Sequence, residues 1–99
     1  MSNKITVIHG PNLDKLGTRE PGVYGAITLT QINTAIKIKC EQLHLLAEFK
    51  QSNHEGEIVD WIGQLFGDGV QGLLINPAAY THTSVAIRDA VAATQIPTV

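Results

Sequence analysis

Residues 5 to 11 read Ile5-Thr6-Val7-Ile8-His9-Gly10-Pro11. A run of β-branched residues stopped by Gly10 and Pro11 predicts a buried strand, Ile5 to Ile8, that ends in a loop. The next segments decide the class of fold. From Gly10 to Ile27 the pattern is aperiodic, with glycines at 10, 17, 22 and 25 and prolines at 11 and 21, and it reads as one long loop. At Thr28 the rhythm changes to helical spacing: Leu29, Ile32, Ile36, Cys40 and Leu43 form one stripe, and Thr28 with Gln31 makes a capping-box signature. This first helix extends to about His44.

The alternation then repeats. Leu45, Ala47 and Phe49 interleave with Leu46, Glu48 and Lys50, giving a second strand that ends at Ser52 and Asn53. Ile58, Ile62, Leu65 and Phe66 share a face of a second helix that closes at Gly67, with Glu55 and Glu57 near its N-terminal end, where carboxylates complement the dipole. Val70 and Leu73 to Ile75 form a third apolar run, stopped by Asn76 and Pro77. A third helix carries Val85, Ala86, Asp89, Ala90 and Ala93, and Ile96 to Val99 begins a fourth strand.

Strands alternating with helices at these spacings imply a parallel sheet covered on both faces, joined by right-handed crossovers. The expected fold is α/β, a flavodoxin-like doubly wound parallel sheet in three αβα layers, forming one domain over residues 1–99. A parallel strand is ordinarily followed by a covering helix, so an end at Val99 leaves the domain expected to be incomplete, cut at the start of strand four.

With 99 residues, 43% hydrophobic and 16% charged, the chain suffices for a single core. A net charge of -2 and a pI near 6.0 supply no basic field for nucleic acid or an anionic membrane. No apolar run approaches the ~20 residues of a membrane span, and the N-terminus lacks a signal-peptide pattern, so a cytoplasmic protein whose partners are small soluble ligands or other proteins is expected. The lone Cys40 falls on the stripe of the first helix and reads as core.

Ligands of open α/β sheets bind beyond the carboxyl ends of the strands, and three polar loops meet there: residues 10–25, 52–57 and 76–84. The first is about three times the usual ~2 to 6 residues of such a connection, a length typical of lids and binding loops. It holds Arg19 and Tyr24. A free tyrosine, with a pKa near ~10, is only about 0.1% phenolate at pH 7, and a neighbouring guanidinium is one way to make it a usable base. Equally, Arg19 can be solvated and Tyr24 can cover the core edge. The third loop, with Asn76, Tyr80, Thr81, His82, Thr83 and Ser84 before a helix, offers donors to an anion such as a carboxylate. The alternative there is that Thr83 or Ser84 caps the helix and His82 lies at the surface.

Other groups carry less. His54, Glu55, Glu57 and Asp60 lack ligand spacing specific enough for a metal, and capping accounts for the acids. Packing or solvation is the default for His9, His44 and Trp61. Gly67-Asp68-Gly69-Val70-Gln71-Gly72 has the glycine spacing of a dinucleotide fingerprint but follows a helix and precedes a strand, so it reads as a turn.

Taken together the loops resemble the type II 3-dehydroquinate dehydratases. Gly10-Pro11-Asn12-Leu13, Leu16-Gly17-Thr18-Arg19-Glu20-Pro21 and Tyr24-Gly25 form one block of the likeness. Gln51-Ser52-Asn53-His54-Glu55-Gly56-Glu57 is a second, and Asn76-Pro77-Ala78-Ala79-Tyr80-Thr81-His82-Thr83-Ser84 with Arg88-Asp89-Ala90 a third. The resemblance implies a hydro-lyase of the shikimate pathway, and so of aromatic amino acid biosynthesis, converting 3-dehydroquinate to 3-dehydroshikimate without metal, nucleotide or Schiff base. Tyr24 would be the base, Arg19 would lower its pKa and stabilise charge, and Asn12 would sit near the reacting centre. Asn76, His82 and Asp89 would bind substrate. Family members assemble as trimers into a homododecamer, in which Asp89 would reach a neighbour's site. Their general acid is a histidine just beyond the start of strand four, past Val99, so an inactive fragment or a non-catalytic flavodoxin-like binding or assembly module is the competing expectation.

Overall fold

A computed structural model of the chain describes residues 3–18, 22 and 25–99. Its elements run β1 (Lys4–His9), α1 (Leu29–Gln42), β2 (Leu46–Gln51), α2 (Glu55–Gln64), β3 (Gly72–Asn76) and α3 (Val85–Thr94), with short 3-10 turns at Leu13–Lys15 and Ala78–Thr81. The strands form a parallel sheet in the order β2-β1-β3. This is the expected α/β architecture. The expected fourth strand is present as one parallel bridge, Leu73 to Thr98, flanked by hydrogen bonds from Leu73 N to Pro97 O (2.9 Å) and from Ile75 N to Val99 O (3.0 Å).

The central position of β1 follows from its sequence. Paired on both edges and packed on both faces, a middle strand needs apolar or β-branched residues throughout, and Thr6, Val7, Ile8 and His9 are all buried. Ile8 enters the main core with Ile58, Ile62 and Leu65 from α2 and its C-cap, Val70, Leu73, and Ile87 of α3. Val7 and His9 line a space with Ile32 and Ile36 of α1. Consecutive strand residues point to opposite faces, so α1 covers one side and α2 with α3 the other.

Local chemistry fixes the helix ends. The Thr28 capping box is formed in full: Gln31 N donates to Thr28 Oγ1 (3.2 Å) and Thr28 N to Gln31 Oε1 (2.8 Å). At the other end His44 adopts a left-handed φ of 60°, its N–H bonds Glu41 O, and Leu45 N bonds Cys40 O. These are the two reciprocal bonds of a Schellman termination, with histidine where glycine is commonest. Cys40 is buried, as its stripe predicts, whereas Leu43 is 55% exposed because it is already the C-cap.

One stripe needs correction. Phe66, expected on the buried face of α2, is 80% exposed. The helix ends at Gln64, and the chain then turns through Asp68 N to Gln64 O, Val70 N to Leu65 O and Gly69 at φ 72°, so helical spacing no longer governs residue 66. This also places Gly67 to Gly69 in the expected turn. In α3 the inward stripe is Ile87, Ala90 and Val91, while Val85, Ala86, Asp89 and Ala93 are exposed.

His9 is more than packing. Its Nε2 lies 2.7 Å from Asn33 Oδ1, the ring N–H donating, which ties the end of the central strand to α1. Trp61 is half-buried with the Lys50 ammonium 5.2 Å from its ring centroid, an arrangement of cation–π type.

Replacing Ile62, which is fully buried, by alanine should cost about 2–5 kcal/mol in urea unfolding, as large-to-small core changes do. Val85→Ala, at an exposed position, should stay within about 0.5 kcal/mol. A large loss at Val85 would contradict its exposed place on α3.

Candidate functional site

Pairing brings three residues level at the carboxyl edge of the sheet: His9 aligns with Gln51 on one side and Asn76 on the other. All three loops therefore begin at the same height. The first and third are tied at once by Gly10 N to Asn76 O (2.8 Å), and the first and second by Gln51 Nε2 to Gly10 O (3.1 Å). A β-carbon at Gly10 would lie 2.5 Å from the Pro77 carbonyl oxygen, so only glycine lets these backbones approach.

Asn12 and Ala78 both hold left-handed backbone conformations, at φ 66° and 52°. Such conformations are uncommon without glycine and are maintained here by partners. Asn53 Oδ1 accepts from Asn12 N (2.9 Å) and from Gln51 Nε2 (3.2 Å). Asn76 Oδ1 accepts from Ala78 N (3.0 Å), shaping its own turn. The Tyr80 hydroxyl donates to the Asn53 carbonyl (2.9 Å), closing the third loop onto the second.

Between the first and third loops Pro11, Asn12, Leu13, Ala78 and Ala79 border a cavity of about 160 Å³. His82 lines a second cavity of about 260 Å³, with Tyr80, Thr83, Ser84 and Arg88. Asn12, Asn76 and His82 are thus gathered at one edge. Asp89 is not: it is exposed on α3 and lines a separate groove with Val59 and Phe66, between α2 and α3. Arg19 and Tyr24 lie outside the described residues.

Ser84 caps α3, its Oγ accepting from Ile87 N (2.9 Å), so the capping alternative for this loop holds and His82 is exposed beside it. His54 is the exposed N-cap of α2, its N–H bonded to Ser52 Oγ (2.9 Å), with Glu55 and Glu57 in the first turn. Among the described residues no three His, Cys, Asp or Glu side chains group as metal ligands. No helix among them is long and apolar enough to cross a membrane.

The linking roles of Asn53 and Tyr80 and the place of Arg88 beside His82 were not assigned from sequence. The available signal was position: Asn53 follows the second strand at the edge where ligands bind.

A parallel β2-β1-β3 sheet with its polar residues gathered beyond the strand ends defines an α/β protein of the doubly wound class. Residues 3–99 match the family described as dehydroquinase class II, and the chain belongs to it. The 3-dehydroquinate dehydratase of Acaryochloris marina is 58% identical over 95 residues, covering 96% of this chain and 63% of that protein. The one from Azorhizobium caulinodans is 52% identical over 99 residues, covering all of this chain and 66% of its own length. Among solved structures, the type II dehydroquinase from Butyrivibrio crossotus superposes with a TM-score of 0.91 at 45% identity, over 96% of this chain and 66% of that one. The chain therefore spans about two thirds of the length of the relatives it matches.

Gly10→Ala should lower stability by about 1–3 kcal/mol, because the clash is with backbone that cannot swing aside. Gly63→Ala, with open space around it inside α2, should raise stability by about 0.4–1 kcal/mol. Thermal unfolding of both variants checks the contrast, and equal midpoints would contradict the close approach of the first and third loops.

Proposed function

We propose that the protein carrying this chain is a type II 3-dehydroquinate dehydratase, a lyase of the shikimate pathway that releases 3-dehydroshikimate and water. The reading is supported above all by one observation. The residues that the family likeness assigns to the reaction from the first and third loops, Asn12, Asn76 and His82, come from distant parts of the sequence and fold to one edge of the sheet.

In this mechanism the Tyr24 phenolate takes a proton from the carbon beside the ketone. The electron pair left behind delocalises into the carbonyl as an enolate, and Arg19 stabilises the charge. The enolate collapses, the carbon–oxygen bond to the leaving hydroxyl breaks, and that hydroxyl takes a proton to depart as water. The family likeness assigns this second proton to a histidine past residue 99. Asn12 stands by the reacting centre, and Asn76 and His82 bind the substrate. Neither metal nor organic cofactor has a role in these steps.

Asp89 fits the same scheme as a substrate-binding residue contributed to a neighbouring subunit, in trimers assembled into a dodecamer. Its exposure on α3, apart from the other assigned residues, supports that placement. The enzyme would act in the cytoplasm.

Intact mass, taken first, establishes whether the assayed protein is the 10.7 kDa chain or extends past Val99. The assay follows the ultraviolet absorbance of the conjugated enone formed from 3-dehydroquinate. Turnover is expected in a protein that extends past Val99, with a loss of about 100-fold or more in Tyr24→Phe. Undiminished turnover in that variant would remove Tyr24 from the mechanism, and no turnover in the longer wild-type protein would sink the assignment. Turnover only in the longer form would make the 10.7 kDa chain the inactive fragment.

A further inference from the structure

Asn53 bonds both of the other site loops through its own atoms, and it is a side-chain oxygen that makes the tie to the first. Its Oδ1 receives the Asn12 N–H at 2.9 Å and the Gln51 amide at 3.2 Å, and its carbonyl receives the Tyr80 hydroxyl at 2.9 Å. Asn12 needs such a partner, because its φ of 66° is disfavoured for any residue with a β-carbon and the next residues turn directly off it through Lys15 N to Asn12 O (3.1 Å). Asn12 in turn borders the cavity between the first and third loops, and Tyr80 lines a second cavity together with Thr81 and His82.

We infer that Asn53 is a positioning residue for the proposed dehydration: it touches no reacting atom but sets Asn12 and the Tyr80–His82 segment at a fixed separation. The inference rests on the dehydratase reading. Catalytic geometry is unforgiving, with misplacement by about 1 Å able to cost on the order of 100-fold in rate. A tie between all three loops is where such misplacement would start.

The side chain's role is specific enough to separate from general stability. Among the described residues Asn53 only accepts hydrogen bonds through Oδ1, so an aspartate, which also accepts, should keep both contacts, while an alanine keeps neither. Asn53 is exposed, so neither change removes core packing.

The experiment compares wild type, Asn53→Ala and Asn53→Asp by amide hydrogen exchange at Asn12 and by steady-state dehydration of 3-dehydroquinate. In Asn53→Ala, exchange at Asn12 should quicken roughly 3- to 10-fold, as loss of one net hydrogen bond implies. Its kcat should fall about 10- to 100-fold, with KM changing less. Asn53→Asp should return both readouts to within about 3-fold of wild type. Unchanged exchange at Asn12, wild-type kcat in Asn53→Ala, or no recovery in Asn53→Asp overturns the inference. All three proteins are taken in the form that extends past Val99, and faster exchange in Asn53→Ala when that wild-type form dehydrates nothing overturns the functional reading instead, and leaves the tie itself standing.

Discussion

The parallel register of β1 with both neighbours is the constraint on which the rest depends. Placing His9 level with Gln51 and Asn76 starts all three loops from one line, so that Gly10, Asn53 and Asn76 are neighbours before any loop residue makes a contact. A slip of one residue along β1 would exchange Ile8 and His9 between faces, burying an imidazole among Ile58, Ile62 and Ile87. The apolar core thus fixes the register, and the register fixes the site.

Core and site are held by different forces. The core consists of aliphatic side chains in contact, whose stabilisation scales with buried area. The edge relies on hydrogen bonds among exposed or partly exposed groups, such as Asn12 to Asn53 and Tyr80 to Asn53, each contributing only about 0.5–1.5 kcal/mol net. Those bonds select a conformation more than they stabilise the fold. Left-handed Asn12 and Ala78 persist because Asn53 and Asn76 supply acceptors at the right places.

Much of this was legible in the sequence where local rules act alone. Strand composition, the Thr28 capping box and the alternation of elements follow from backbone propensity and periodicity, and the structure carries them as read. The failures lie where a local rule stops applying. Phe66 belongs to the helical period only if the helix continues past Gln64, and the position of its end depends on the turn at Gly69. Which side of α3 turns inward was not read from the sequence, since it is a tertiary choice that small residues such as Ala86 and Ala90 scarcely constrain. His9 illustrates the same limit, since a histidine ending a strand gives no sign of which helix residue will face it until Asn33 is placed.

For the site, residue types were legible and their connections were not. Polar loops at strand ends announce a ligand edge in any doubly wound sheet, which is why Asn76 and His82 could be singled out, while Asn12 came only from the family resemblance. Bonds such as Asn12 N to Asn53 Oδ1 join positions 41 apart, and no periodicity reports them. The division also has a chemical sense. A residue that binds substrate must offer a functional group, which sequence displays, whereas a residue that positions another acts through geometry, which only the folded chain displays. Asn53 belongs to the second kind, since its side-chain oxygen is directed toward Asn12, which borders the cavity, and toward Gln51 at the end of β2.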